Sequence, residues 1–232
     1  MKIFIGYDSN QPIASEVTEY SLRKHATTDL EIFHIKRHEV QEKGIYYRPP
    51  GDPASTEFTY TRFLAPYLCD YKGLSMFVDS DWLFTADINE LFEIAEDDPY
   101  KADTAMWVCK HPEYVPKRDV KFMNKPQLTF PRKNWSSLMI FNNEHKATKQ
   151  LNPLNISNNT PQWLHRFTWA NGHRLGSLPL EWNWLIGEYE KLLTPPPGIH
   201  YTNGGPFNLV HGQDYEEMWE QYLKEMQDEQ NI

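Results

Sequence analysis

The chain has 232 residues, 40% of them hydrophobic and 14% aromatic, with a formal net charge of −9. This is enough apolar material for one sizeable α/β domain with a real core, and it argues against a wholly disordered chain. The negative balance argues against a general nucleic-acid binder, which needs a basic surface. Two cysteines, Cys69 and Cys109, with no C-x-x-C spacing, fit a reducing compartment and give no cysteine-type zinc site.

Residues 2–7 read as a first strand and 11–25 as a helix, with Pro12 in its first turn. Met1–Gly6 is too short an apolar stretch for a signal peptide, with Asp8 close behind it. Glu31–Lys36 reads as a second strand, 38–56 as a long loop rich in charge, Gly and Pro, and 57–70 as a helix. Leu74–Val78 is a buried strand, followed by a short helix near Asp87–Ile94 and a strand over Thr104–Lys110. The basic, proline-interrupted segment 111–134 reads as a connection. Ser136–Phe141 is a strand, 144–151 a helix, Asn152–Asn159 a loop, and Pro161–Ala170 a helix. Ser177–Leu185 carries the aromatic patch Trp182-Asn183-Trp184, and Thr194–Gly198 is a stiff turn. In the tail, about 213–228, Met218, Trp219, Tyr222, Leu223 and Met226 share a helical face that closes the core. Strand–helix alternation gives an α/β fold with a mostly parallel sheet. No composition break divides the chain, so one domain is expected over 1–232. No apolar run nears the roughly 20 residues that span a bilayer. The expectation is a soluble, cytoplasmic protein, with peripheral membrane contact left open.

The most informative motif is Asp79-Ser80-Asp81, at the end of the buried strand. In extended chain the two carboxylates point the same way, with α-carbons roughly 7 Å apart. Two carboxylates facing together repel, and a cation between them relieves this. Hard divalent ions such as Mg²⁺ or Mn²⁺ take oxygen ligands and bridge to substrate phosphates. Open α/β sheets also place ligands at strand ends. The plain alternative is a strand running into a polar turn.

Two further stretches give the motif context. Tyr60-Thr61-Arg62-Phe63-Leu64-Ala65-Pro66-Tyr67-Leu68 precedes it, and Asp87-Ile88-Asn89-Glu90-Leu91-Phe92 follows. As a unit of about 33 residues, this resembles the glycogenin and lipopolysaccharide-galactosyltransferase family of retaining glycosyltransferases, which have the GT-A fold. Weaker echoes are Ile5-Gly6-Tyr7-Asp8, Asn134–Asn142 and His200-Tyr201-Thr202-Asn203-Gly204.

The resemblance implies a GT-A-like single domain, with a nucleotide-binding half over about 1–110 and a sugar and acceptor side over about 111–232. It implies Mn²⁺ (or Mg²⁺) held by Asp79, Asp81 and His200. Arg62 would add a fixed cation near the phosphates or the Asp pair. Gly6, Tyr7, Asp8, Ser80 and Gly204 would line the nucleotide and diphosphate site. Trp135, Ser136, Ser137, Trp182 and Asn183 would face the sugar or acceptor, and Gln162 would stand for the family's late Asp-Gln pair. The donor would be a nucleotide diphosphate sugar, a UDP-sugar by family habit. The acceptor would be a hydroxyl on a glycan, lipid-linked or protein partner.

The chain also departs from the pattern. Gly204 stands four residues after His200 rather than three, and Gly205-Pro206-Phe207 replaces Lys-Pro-Trp, so a phosphate-contacting lysine is missing. Arg62, Lys191 and His211 are the candidate substitutes, and His211 is also a rival metal ligand. Plain readings stand beside each site: a loop histidine for His200, a surface ion pair for Arg62, core packing for Trp135 and Trp182, and a helix cap for Gln162. Rival functions are a D-x-D phosphatase, disfavoured because Trp82 follows the motif, and a sugar-phosphate nucleotidyltransferase, disfavoured because residues 6–10 lack a Gly-rich basic loop. A non-catalytic sugar- or nucleotide-binding protein on the same fold is the alternative from another class.

Overall fold

The computed structural model describes residues 2–48, 54–112, 120–121, 125–126 and 131–230. The elements run β1 (Lys2–Gly6), α1 (Pro12–His25), β2 (Glu31–Ile35), α2 (Arg37–Glu42), α3 (Ala65–Leu68), β3 (Leu74–Val78), β4 (Trp82–Phe84) and α4 (Asn89–Glu96). They continue with β5 (Thr104–Cys109), β6 (Val120–Lys121), β7 (Lys125–Pro126), β8 (Leu138–Asn142), α5 (Pro153–Asn158) and α6 (Pro161–His165). The last are β9 (Arg174–Leu178), β10 (Trp184–Leu185), β11 (Gly198–His200) and α7 (Glu216–Gln230).

Six strands form the central sheet in the order β2-β1-β3-β8-β5-β9. β1 pairs in parallel with β2 and β3, and β5 with β9; β8 runs antiparallel to both neighbours. The sheet is therefore mostly parallel and flanked by helices, as the alternating pattern predicts. Strand alternation sorts the core onto two faces. Phe4, Phe77, Met106 and Phe141 pack with Phe63, Leu64 and Leu164 on one side. Ile3, Ile5, Met76, Val78 and Ile140 pack with Leu22, Leu91 and Phe92 on the other. A fully buried side chain such as Phe77 contributes roughly 1.5–3 kcal/mol of transfer free energy.

A second, small sheet has the order β10-β11-β4. Its Leu83 and Ile199 share a third cluster with Val17 of α1 and with Trp219, Tyr222 and Met226 of α7. The tail helix thus closes the core on the face its sequence pattern predicts. α1 lies between the two layers and holds β4 by its hydroxyls. Thr18 Oγ1 sits 2.8 Å from the Ser80 carbonyl and accepts from Trp82 N at 3.2 Å, and Ser21 Oγ accepts from Phe84 N at 3.0 Å.

Four local expectations change. The predicted loop 38–56 begins within α2, a run of good helix formers that stops before Gly44, whose φ is +66°. The predicted helix 57–70 is broken into a 3-10 turn, Thr61–Leu64, and the short α3. Pro66 has no N–H to give the Arg62 carbonyl, and its ring would strike it, so the helix restarts. The predicted helix 144–151 is only a 3-10 turn, Thr148–Gln150; Thr148 Oγ1 lies 2.8 Å from the Asn142 carbonyl and 2.6 Å from that of His145. The Asn-rich loop is instead α5, capped by Asn152, whose side chain accepts from Asn155 N at 3.0 Å, with Pro153 next. Most of segment 111–134 lies outside the described residues. No helix among the described residues is long and apolar enough to cross a membrane.

Candidate active site

β3 delivers Asp79 and Asp81 to the end of the sheet, and the small sheet brings His200 to them. β11 pairs antiparallel with β4, so His200 lies opposite Trp82, and Tyr201 N donates to the Asp81 carbonyl at 2.9 Å. The ligand-capable atoms of Asp79, Asp81 and His200 all lie within 4.8 Å of one another. The His200 ring is fixed by stacking on Trp82, 4.7 Å between centroids and 15° between planes. Gly198 makes this approach possible, because a Cβ there would lie 2.2 Å from the Trp182 carbonyl oxygen.

Asn183 sets the proton on that ring. Its Nδ2 lies 3.2 Å from the Asn134 carbonyl, which can only accept. The amide oxygen must then face His200 Nδ1, 2.8 Å away, so Nδ1 carries the hydrogen. In the neutral ring, Nε2 keeps its lone pair, and it faces Asp81 Oδ1 at 3.4 Å. That oxygen is buried and has no hydrogen-bond partner among the described residues. Two acceptors therefore confront each other, and a cation or proton between them removes the repulsion. Two carboxylates and an imidazole suit Mn²⁺, with Asn183 orienting the imidazole from behind.

Arg62 enters from the broken helix. Its Nη1 is 2.7 Å from Asp79 Oδ1 and 2.8 Å from the Ser136 carbonyl, and the side chain is 7% exposed. The guanidinium lies 5.3 Å and 5.2 Å from the Phe58 and Phe77 ring centroids. It is a positioned charge at the Asp pair rather than a surface ion pair.

The other predicted positions are distributed as follows. Gly6 allows close approach, since a Cβ would meet the Phe58 ring at 2.5 Å. Asp8 is buried and accepts from Asn10 N at 3.0 Å and Glu57 N at 3.2 Å, which ties the end of β1 to the loop before Phe58. Tyr7 is half-buried, with Lys36 5.2 Å from its ring centroid. Ser80 is buried beneath Thr18. Ser136 Oγ lies 2.9 Å from His165 Nδ1, and Ser137 Oγ accepts from Asn183 Nδ2 at 3.0 Å. Trp182 sits in the core at 4% exposure, whereas Trp135 is half-buried. Gln162 is exposed in the first turn of α6. Gly204, at φ +91°, closes a turn onto the Tyr201 carbonyl, and Phe207 then packs against Tyr201 and Trp219. Lys191 is 60% exposed, 4.0 Å from Asp214. His211 pairs with Glu216 at the head of α7 and does not join the Asp79–Asp81 group.

Sequence reasoning missed His111. It is 4% exposed, its Nδ1 is 2.7 Å from the Tyr189 hydroxyl, and its Nε2 is buried without a partner among the described residues. Burial, with His200 nearby, pushes its pKa down to about 3. Only the three-dimensional fold brings it beside Asn183 and His200. Asn134 opens the Asn134–Asn142 stretch, just ahead of β8. Its φ of +61°, tolerated by asparagine, aims its carbonyl at Asn183.

The mostly parallel sheet and its flanking helices have the GT-A fold seen in solved glycosyltransferases. Solved relatives in fold include the glycosyltransferase GlyE of Streptococcus pneumoniae TIGR4, with TM-score 0.61 and 17% identity, aligned over 96% of this chain and 59% of GlyE. The galactosyltransferase LgtC aligns with TM-score 0.53 and 10% identity over 97% of this chain and 96% of its own. Mouse xyloside xylosyltransferase 1 aligns with TM-score 0.53 and 11% identity over 86% of this chain and 97% of its own. The chain thus spans less than two thirds of GlyE. No family model matches the sequence. Protein CDI of Arabidopsis thaliana is 38% identical over 233 residues, covering 97% of this chain and 88% of that protein, and the chain belongs to the Protein CDI family.

Proposed function

We propose that this protein is a metal-dependent glycosyltransferase of the glycogenin and lipopolysaccharide-galactosyltransferase type. It moves a hexose from a nucleotide diphosphate sugar, in first place a UDP-sugar, to an acceptor hydroxyl with retention of configuration. The observation that carries the reading is His200 Nε2 facing Asp81 Oδ1 at 3.4 Å, with the ring held by Asn183 and Arg62 paired to Asp79. A resting charge pattern of this kind fits a divalent cation together with a diphosphate. The GT-A fold, and LgtC's structure with donor and acceptor sugar analogues, support the choice of reaction.

In this reading residues 1–110 form the donor half and 111–232 the sugar and acceptor side. Tyr7 and Lys36 offer a ring and a charge for the base, beside the loop that Asp8 anchors. Asp79, Asp81 and His200 hold the divalent ion, which when bound supplies Lewis-acid stabilisation of the departing diphosphate. Arg62 keeps Asp79 in place and contributes positive field. The bond from the anomeric carbon to the diphosphate oxygen breaks, and the acceptor oxygen bonds to that carbon on the same face. The acceptor's proton passes to the departing phosphate oxygen. No protein nucleophile is required, so positioning and charge complementarity carry most of the rate. Where the family has a lysine, this chain has the apolar Gly205-Pro206-Phe207 packing; of Arg62, Lys191 and His211, Arg62 is the one at the Asp pair.

Thermal unfolding with UDP, GDP, CDP or TDP, each with Mn²⁺, Mg²⁺ or EDTA, tests the reading. A nucleotide at a hundred times its dissociation constant stabilises by about 2.7 kcal/mol. The expected result is a UDP shift that needs Mn²⁺ and vanishes in Asp81→Ala, with turnover of a UDP-hexose. A metal-independent response to every nucleotide, without turnover, would overturn it in favour of a binding protein.

A further inference from the structure

The turn that holds the Asp79 ion pair has a second side. There the chain forms a cavity of about 310 Å³, whose lining includes Lys110, Arg132, Trp135, Asn171 and His173. Through Gly172 and His173 it continues into a depression of about 520 Å³ near Asp103 and His145. Consecutive residues serve both sides. Lys110 lines the cavity, while the next residue, His111, is buried beside His200. Trp135 lines the cavity and donates its indole N–H to the His111 carbonyl at 3.0 Å; the next residue, Ser136, gives its carbonyl to Arg62. The cavity and the Asp79–Arg62 pair are thus separated by two short peptide segments.

Among the described residues that line the cavity, Lys110 and Arg132 bring positive charge and no carboxylate is present. Lys110 Nζ donates to the Leu175 carbonyl at 2.7 Å, and Arg132 donates to the Arg166 carbonyl. Neither has a carboxylate partner among the described residues, whereas the neighbouring Arg174 is paired with Asp98. Both side chains are half-buried. Burial, and then the Arg174 and Arg132 charges, hold the Lys110 pKa below the usual lysine value. The Arg132 guanidinium also lies 5.8 Å from the Trp135 ring centroid. Two like charges, half-buried and without a carboxylate partner among the described residues, cost folding free energy through desolvation and mutual repulsion. An anion binding between them removes that cost, and the indole beside them offers an apolar face for a sugar ring.

We propose that this cavity is the acceptor subsite, and that it selects a glycosyl acceptor carrying an anionic group, either a carboxylate or a phosphate ester. The proposal rests on the transferase reading above and names its substrate class. Lys110 and Arg132 pair with the anion, Trp135 backs the sugar ring, and the accepting hydroxyl is presented over the Trp135–Ser137 turn to the donor side.

The test uses the full chain with saturating UDP and Mn²⁺. Ligand-observed NMR measures glucuronate, glucose 6-phosphate, glucose and inorganic phosphate in turn. At least one acidic sugar is expected to bind about tenfold tighter than glucose, as charge-assisted hydrogen bonds allow. That advantage is expected to shrink with added salt. It is also expected to disappear in Lys110→Ala/Arg132→Ala and to survive in Lys110→Arg/Arg132→Lys, with the UDP–Mn²⁺ thermal shift unchanged in both. Preference for glucuronate assigns a carboxylate, and preference for glucose 6-phosphate together with phosphate assigns a phosphate ester. Equal binding of glucose and both acidic sugars, no binding at all, or an advantage that survives the double alanine variant overturns the proposal. Absence of the UDP–Mn²⁺ shift in the unmodified protein would instead overturn the transferase reading.

Discussion

Replacing Arg62 by methionine tests whether the guanidinium exists to hold the Asp pair. The side chain is 7% exposed, with one nitrogen 2.7 Å from Asp79 Oδ1 and 2.8 Å from the Ser136 carbonyl. Methionine keeps much of the packing against Phe58 and Phe77 but removes the positive charge beside the Asp79 carboxylate. Breaking a buried pair from one side costs about 3–5 kcal/mol. Asp79 is itself 15% exposed, so the lower end, about 3 kcal/mol, is the better figure. For a chain of this size each kcal/mol moves the melting temperature by about 2–4 °C, giving a drop of about 6–12 °C in EDTA. Adding Asp79→Asn should then recover at least about 1 kcal/mol, because the part-buried negative charge that Arg62 offset is gone. Mn²⁺ should raise the melting temperature of Arg62→Met more than that of the unmodified protein, by supplying the missing positive charge. Urea and thermal unfolding of the two single variants and the double variant, with and without Mn²⁺, provide the cycle. A double variant no more stable than Arg62→Met would refute the reasoning, since the loss would then lie in packing alone.

Two further outcomes are expected. Asn183→Leu removes the acceptor for His200 Nδ1 and the donor to Asn134, and it should weaken Mn²⁺ binding about 10–100-fold; calorimetric titration that finds unchanged affinity would count against the orienting role. Burial raises the Asp98 pKa, but the Arg174 guanidinium, the Tyr100 N–H and the Trp107 indole N–H outweigh it and leave the carboxyl below its ordinary value. Its contribution is therefore complete above the unfolded value near 3.9 and is lost as the solution is acidified through the lower folded value. Asp98→Asn should reduce stability at neutral pH and converge with the unmodified protein in acid, as followed by urea midpoints; a pH-independent gap would show that the charge is not responsible.

The parts of the site that the sequence displayed are those made by short-range pattern. The apolar run Leu74–Val78 marks a strand, and Asp79 and Asp81 follow at the spacing that puts two side chains on one side. The tail stripe of Trp219, Tyr222 and Met226 was equally plain. What was hidden depends on contacts between distant segments. β4 is three residues long and is a strand only because β11 and the Thr18 and Ser21 hydroxyls take its backbone groups. The apolar residues of 57–70 follow a helical spacing, but Pro66 lacks the N–H and the room that the preceding turn needs, so the helix breaks there. α5 was underread because its asparagines suggested a loop, although Asn152 before Pro153 is a capping arrangement. His111 gave no local signal, and its closeness to His200 is a matter of tertiary structure alone.

The small sheet also has a temporal meaning. Asp79 and Asp81 are made early, with β3, whereas His200 is made on the last strand and is placed by pairing with β4. β11 in turn shares its cluster with α7, the final helix. During synthesis, which proceeds from the N-terminus, a chain that has released the two carboxylates still lacks their imidazole and the cover over its strand. If Asp79, Asp81 and His200 hold a cation as proposed, its capture would report that α7 has docked, and a chain cut within α7 should lose Mn²⁺ binding before it loses its central sheet.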